Sequence, residues 1–356
     1  MINHKLWKNN NVLITGHTGF KGGWLSFFLK NLGVNISGYA LNPLGKNNFF
    51  NSTKLNNIFS FDFRKNLLDY RSLKKCLELV KPKVIFHLAA QSSVIESFRH
   101  PKNTVLTNVI GTMNLLECIK NNKNVKAVII VTTDKVYKIG EKNIKFKEDS
   151  SLGGKDVYSA SKASCEIITH SYLDSFFKRK KINVATVRAG NCIGGGDWTK
   201  DRIIKDCMES FLKNKKLIIR KPQATRPWQH VLEPLRGYII LAQKLMSNEG
   251  KKYVGAWNFG PNYKSQVSVL DLAKKIKIKI KSSSRIIIKK EKNIIETDKL
   301  NIDSSKSKKK LNWKTILSVN ESLDLTVAWY VANYNKYDMS KFTQDQIKSF
   351  LNNINR

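Results

Sequence analysis

Tyr158-Ser159-Ala160-Ser161-Lys162 sets a phenol and an ammonium four residues apart, on one face of a helix. A phenol ionises near pH 10 and is a poor base at neutrality, but a neighbouring ammonium and the positive ring of an oxidised nicotinamide both favour its phenolate. So placed, Tyr158 can take the proton of an alcohol as hydride leaves the same carbon for a cofactor. In a chain rich in lysine this spacing also arises by chance. It gains meaning from an apolar run ending in Thr132-Thr133 and from a glycine-rich turn far upstream, Gly16-His17-Thr18-Gly19-Phe20-Lys21-Gly22. A tight turn, close approach of a pyrophosphate and close packing of helix on strand each favour a residue without Cβ. The free N–H groups and dipole of the following helix then face an anion, the arrangement of a dinucleotide site.

Residues 16 and 158 can meet only if the intervening chain folds back on itself repeatedly. Apolar strand-like runs recur at 12–15, 34–41, 84–88, 127–132 and 184–189, and helical periodicity fills 24–32, 72–80, 103–120 and 158–178. Strand alternating with helix predicts an α/β fold, a Rossmann-type doubly wound parallel sheet with helices on both faces. After about residue 190 the rhythm breaks into loops marked by glycine and proline. A cofactor-binding domain is therefore expected over 1–190 and a smaller C-terminal α/β substrate lobe over 191–356, with segments around 231–260 returning to the first domain. The second strand, Ile36-Ser37-Gly38-Tyr39-Ala40-Leu41-Asn42, lacks the acid that would hold a ribose, and no arginine stands there for a 2′-phosphate, so NAD is favoured over NADP. Asp62 precedes a helix on this reading; it either contacts the adenine or serves as a cap or turn residue.

Length and composition narrow the class. The 356 residues, 41% of them hydrophobic, suffice for a large core, and no apolar run approaches the roughly 20 residues that span a bilayer. A cytoplasmic protein without a membrane segment is expected. Five scattered cysteines form no C-x-x-C pair, so no zinc site or disulfide frame is indicated. The net charge of +36, from 63 basic and 27 acidic residues, would invite nucleic acid. Yet the lysines alternate with isoleucine, as in residues 274–281, without the aromatic interleaving that stacks bases. A solvated basic surface is expected rather than nucleic-acid binding, with a positive field that could speed capture of a small anion.

Further motifs sharpen this. They are His87-Leu88-Ala89-Ala90-Gln91, Asn108-Val109-Ile110-Gly111-Thr112, Arg188-Ala189-Gly190-Asn191, Gly194-Gly195-Gly196-Asp197-Trp198, Arg226-Pro227-Trp228-Gln229-His230-Val231-Leu232-Glu233-Pro234 and Trp257-Asn258-Phe259-Gly260-Pro261. Over nearly its whole length the chain resembles the extended short-chain dehydrogenases/reductases, within them the CDP-glucose 4,6-dehydratase branch. The resemblance implies NAD as a cofactor regenerated each turnover, CDP-glucose as substrate, a homo-oligomer (dimer or tetramer), no metal, and a place in deoxysugar and O-antigen biosynthesis. It makes Thr133, Asp134, Lys135, Tyr158 and Lys162 catalytic. Gly16, His17, Thr18, Gly19, Phe20, Lys21, Gly22, Asp62, Phe63, Leu88, Ala89 and Ala90, with Tyr158 and Lys162, would meet the cofactor. Gln91, Asn191, Arg202 and Arg226 would meet the substrate, the last three at its diphosphate.

Asp134 follows the strand-end threonines where epimerases of this type carry small or hydroxylated residues, and it is the natural proton donor for a hydroxyl leaving C6. Relatives acting on dTDP-glucose place glutamate next, to remove the C5 proton; here it is Lys135. Either burial and nearby charge hold Lys135 neutral, or it stabilises the enolate while another group takes the proton. His230 is expected to be structural, and Trp198 and Trp228 to be core residues unless one stacks on the cytosine. The rivals are another nucleotide-sugar dehydratase, of the GDP-mannose type for example, a 4-epimerase, or a non-catalytic nucleotide- or RNA-binding protein.

Overall fold

The computed structural model describes residues 2–140, 145–261, 266–289 and 300–354. Its centre is a seven-stranded, wholly parallel sheet in the order Gly255–Phe259, Asn183–Ala189, Ala127–Val131, Val84–His87, Asn11–Thr15, Asn35–Ala40, Phe61–Arg64. Each inner strand is apolar on both faces because helices cover both. Val12 and Ile14 point into one core with Phe86, Ile129 and Val187, while Leu13, between them, points into the other with Ile85, Val128 and Val184. Helices Phe20–Asn31 and Leu232–Leu245 fill the first layer, and Tyr70–Val80, Gly111–Ile119 and Val157–Tyr172 the second. Strand order reverses at Asn11–Thr15, whose neighbours are Asn35–Ala40 and Val84–His87. A crevice at the carboxyl end of that point is where open α/β sheets bind ligands.

Two helices expected as single runs are interrupted. Pro101–Val105 continues into a π turn, Leu106–Ile110, before Gly111–Ile119, and Val157–Tyr172 ends in another, Leu173–Phe177. Asp62 does not precede a helix: it lies inside the edge strand Phe61–Arg64, where Phe61 and Phe63 stack with ring centroids 6.0 Å apart. The capping acid of the next helix is Asp69, whose carboxylate accepts from the Ser72 N–H.

Beyond Ala189 the chain builds short paired strands and helices, then returns. Gly255–Phe259 joins the main sheet, and Met339–Ile354 packs on Phe20–Asn31, with Phe28 and Phe350 edge to face at 6.4 Å. The run Gly194-Gly195-Gly196 is tightly enclosed: a Cβ on Gly194 would lie 2.9 Å from Val231, one on Gly195 within 2.0 Å of the Trp329 ring on helix Val319–Tyr334, and Gly196, at φ +80°, lies against Phe49. The all-glycine requirement of that motif is thus a matter of packing.

Candidate active site

Gly16 turns the chain out of the first strand with φ +75°, and a Cβ there would lie 2.6 Å from the Ala89 backbone nitrogen. On Gly22 it would lie 2.2 Å from the Gly16 carbonyl oxygen. Gly19 differs. Its φ is an ordinary −82°, and a Cβ would touch only the Gly16 oxygen, at 3.4 Å. The space beyond it is open, at the N-terminus of helix Phe20–Asn31, where no side chain caps the first turn. Unpartnered N–H groups and the positive end of the dipole meet there, a cradle that fits a dinucleotide pyrophosphate.

Around the cradle, Thr18 donates its hydroxyl to the Leu41 carbonyl at 3.1 Å, and half-buried Leu88, Ala89 and Ala90 follow strand Val84–His87. His17 is wholly buried, packed so close to Gly38 that a Cβ on that glycine would lie 2.5 Å from its ring. His17 Nε2 and Asp62 Oδ1 are 2.9 Å apart, and Arg64 donates to Asp62 Oδ2 at 2.7 Å. Burial lowers the pKa of His17; burial would raise that of Asp62, but the His17 and Arg64 contacts hold it below its ordinary range. Asp62 pairs in register with Gly38, so the acid missing from the second strand stands one strand further out. Phe63 beside it tilts against Tyr39 at 6.3 Å.

The catalytic candidates converge at the sheet's carboxyl edge. Asp156 caps helix Val157–Tyr172 by accepting from the Ser159 N–H, which aims Tyr158 and Lys162 inward; both are buried. Thr133 and Asp134 end the strand Ala127–Val131, and the Thr133 hydroxyl donates to Asp134 Oδ1 at 3.1 Å and contacts the Tyr158 phenol. Burial pushes that phenol up to about 12, opposed by the Thr133 contact and the Arg202 charge. The protein atoms alone therefore keep Tyr158 neutral near neutral pH. Burial lowers Lys162. Lys135, next in the turn, is half-buried. Lys21, read as part of the cofactor turn, reaches further: its positive charge is felt at both Cys192 and Lys162.

The substrate candidates divide. Asn191 is half-buried beside Gly190, and Arg226 lies on the short strand Thr225–Pro227 paired with Gln266–Ser268. Arg202 is half-exposed at the start of helix Ile203–Leu212, its Nε 3.9 Å from Asp197. Gln91 is spent on scaffolding: its amide bonds Ser93 and Thr104, and its backbone N–H donates to Asn108 Oδ1 at 2.8 Å. His230 is wholly buried, with Nδ1 accepting from the Leu232 N–H, and the Trp228 indole donates to the Val267 carbonyl at 3.0 Å. Trp198 stands edge-on to Tyr330 at 5.1 Å. A cavity of about 130 Å³ opens beside Asp134, lined by Gly190, Pro227, Gly260, Pro261 and the stretch 301–305, with Lys145 and Lys308.

The sequence profile of the GDP-mannose 4,6 dehydratase family matches residues 13–326. The chain belongs to that family. It is similar to the CDP-glucose 4,6-dehydratase of Salmonella typhimurium, 37% identical with the whole of both chains covered. The dTDP-D-glucose 4,6-dehydratase of Dictyostelium discoideum is 32% identical over 74% of this chain and 61% of that protein. Among solved structures, dTDP-glucose 4,6-dehydratase from Bacillus anthracis in complex with NAD aligns with a TM-score of 0.76 and 23% identity, covering 92% of this chain and 98% of that one. UDP-glucose 4-epimerase from Thermotoga maritima with UDP-glucose gives 0.79 and 22%, covering 91% and 99%. At these identities the structures establish the shared fold, the doubly wound sheet expected from the alternating strands and helices.

Within this GDP-mannose 4,6-dehydratase family chain, two features escaped the sequence reading. Glu166, four residues beyond Lys162 on the same helix face, had a spacing signal that was there to use. The cavity stretch 301–305 had only the weak turn cluster Asp303-Ser304-Ser305, which says nothing about its place beside Asp134. Among the described residues no cluster of His, Cys, Asp and Glu could hold a metal, and no helix is long and apolar enough to cross a membrane.

Proposed function

We propose that the protein converts CDP-D-glucose to CDP-4-dehydro-6-deoxy-D-glucose and water. The observation that carries this reading is the placement of the Asp134 carboxyl, at the wall of a cavity, in one cluster with Thr133 and the Tyr158 phenol. The full-length similarity to a CDP-glucose 4,6-dehydratase supports the choice of nucleotide. Bound NAD would supply the acceptor for the hydride leaving C4 and its donor back to C6.

Gly16, Gly19 and Gly22 leave room for the diphosphate of that cofactor, with His17, Thr18, Phe20 and Lys21 in the same turn, Asp62 and Phe63 toward the adenosine and Leu88, Ala89 and Ala90 along its flank. Tyr158 takes the proton of the C4 hydroxyl, with Thr133 holding the phenol and Lys162 supplying positive charge. The new ketone makes the C5 proton acidic; it passes to Lys135 where burial and nearby charge hold that amine neutral, or to another group or water while the Lys135 ammonium stabilises the enolate. Asp134 then protonates the C6 hydroxyl, the C6–O bond breaks, and water leaves. Asn191, Arg202 and Arg226 grip the substrate diphosphate. The work is done in the cytoplasm, on a deoxysugar route, by a homo-oligomer.

An epimerase shares C4 oxidation but eliminates nothing. The test is therefore incubation with CDP-glucose and the other nucleotide-glucoses, following the 4-keto-6-deoxy product. The wild type should form it from CDP-glucose, and Asp134→Asn, which keeps size but removes the acid, should lower water loss about a hundredfold or more. Conversion of CDP-glucose to its C4 epimer, or an Asp134→Asn variant at wild-type rate, would overturn the reading.

A further inference from the structure

Oxidation at C4 and elimination at C6 are carried by two separate elements. Helix Val157–Tyr172 holds Tyr158 and Lys162; the end of strand Ala127–Val131 holds Thr133 and Asp134. One side chain bridges them. Glu166, wholly buried one turn beyond Lys162, accepts on Oε1 from the hydroxyl of Thr132, the residue before Thr133, and on Oε2 from the hydroxyl of Thr186. Arg188 meets the same carboxylate in a two-point fork, Nε to Oε1 and Nη2 to Oε2, both at 3.0 Å. Its Nη1 donates to the Tyr137 hydroxyl at 2.9 Å, which in turn donates to Asn258 Oδ1 at 2.7 Å.

If packing were the whole purpose, apolar side chains of the same volume would serve as well or better than a buried ion pair. A network with all its members satisfied instead fixes a single geometry. Here it bears on Asp134 from two directions. Through Thr132 it holds the strand end from which the acid projects. Through Arg188 it holds Gly190, two residues on, whose Cα side is so close that a Cβ would lie 3.0 Å from Asp134 Oδ2.

We propose that Glu166, held by Arg188, is a positioning residue that keeps the acid acting at C6 in register with the phenol acting at C4. This rests on the dehydratase reading. Once C4 is a ketone, the C5 carbanion either expels the C6 hydroxyl, with the proton from Asp134, or picks up a solvent proton; substrate would then re-form when the hydride held by the cofactor went back to C4 and Tyr158 returned its proton to the C4 oxygen. Register between the two elements sets that partition.

Glu166→Ala would strand Arg188 in the core, so the threonine hydroxyls are the better handle. Thr132→Val and Thr186→Val each remove one bond to Glu166 at nearly constant shape, but only Thr132 leads into the acid. With CDP-glucose in D2O, Thr132→Val should keep its melting temperature within a few degrees and its KM within about twofold, yet lose about tenfold in kcat for the keto product. Unconverted CDP-glucose recovered from it should carry several times more C5 deuterium than from wild type; Thr186→Val should match wild type in both. Equal losses in the two variants, or a lower kcat in Thr132→Val without added C5 deuterium, would overturn the positioning role while leaving the dehydratase reading intact. A wild type that releases no water from CDP-glucose would overturn both.

Discussion

Tyr158 sits in a protein environment that opposes its ionisation. Burial outweighs the Thr133 contact and the Arg202 charge, and its phenol stands at about 12. To act as a base near neutrality it must fall by several units, about 6 kcal/mol of differential stabilisation, and the positive nicotinamide ring is the charge available to supply it. An absorbance difference titration, wild type minus Tyr158→Phe, should show this phenolate only in strong alkali without cofactor and several pH units lower with NAD. An unchanged titration on adding NAD would refute the dependence. Tyr158→Phe should also cut turnover at least a hundredfold with little change in melting temperature. At this scale the sequence was a good guide to placement and a poor one to environment. Four-residue spacing placed Tyr158 and Lys162 on one helix face, but nothing in the spacing told that both would be buried deeply enough for desolvation to outweigh neighbouring charge.

The glycine turn makes a division at the level of the element. Gly16 and Gly22 are glycine because the protein's own backbone fills the space a Cβ would need, whereas at Gly19 that space is open. Gly19→Ala should therefore melt close to wild type while losing NAD affinity at least tenfold, and Gly22→Ala should lose both; calorimetric titration with NAD beside thermal melts separates the cases. Glu233, at the start of helix Leu232–Leu245, ties another pair of elements together by accepting from the Ile316 and Leu317 N–H groups, both at 2.7 Å. Burial raises its pKa from 4.5 to about 6. The folded state thus holds this proton more tightly than the unfolded chain, so stability falls as pH rises from 4.5 through about 6, by about 2 kcal/mol. Glu233→Gln should flatten that part of the stability profile in denaturant melts at pH 4.5 and 7. The alternation of apolar runs with helical stretches made the sheet legible, because strands covered on both faces must be apolar on both. The strand Phe61–Arg64 was not read: Phe-Asp-Phe-Arg does alternate with the strand period, but the run is only four residues long, and its two charges, which an edge position tolerates, drew it toward a turn instead.

Across the molecule, several large apolar side chains stay exposed on one group of neighbouring elements. Phe98 is 50% exposed and Ile167 58%, with Ile95, Val105 and Phe176 also exposed, on helices Val94–Arg99, Pro101–Val105 and Val157–Tyr172 and the turn that follows, elements in mutual contact. Such a patch on a chain of charge +36 calls for a covering partner, and a second copy of the same face is self-complementary by a two-fold axis. Sedimentation should show a dimer or higher even-numbered assembly, and Phe98→Ser with Ile167→Asp should give monomer; an unchanged mass would place the interface elsewhere. The seam between Phe20–Asn31 and Met339–Ile354 has a consequence for biosynthesis. The helix that shapes the cofactor cradle is synthesised about 300 residues before the helix that covers it. At roughly 5–20 residues per second, the Phe28 side of the cradle helix waits about 15–60 s for Phe350 to arrive. Through that interval the nascent chain shows a hydrophobic stripe to the cell, a natural hold for a chaperone.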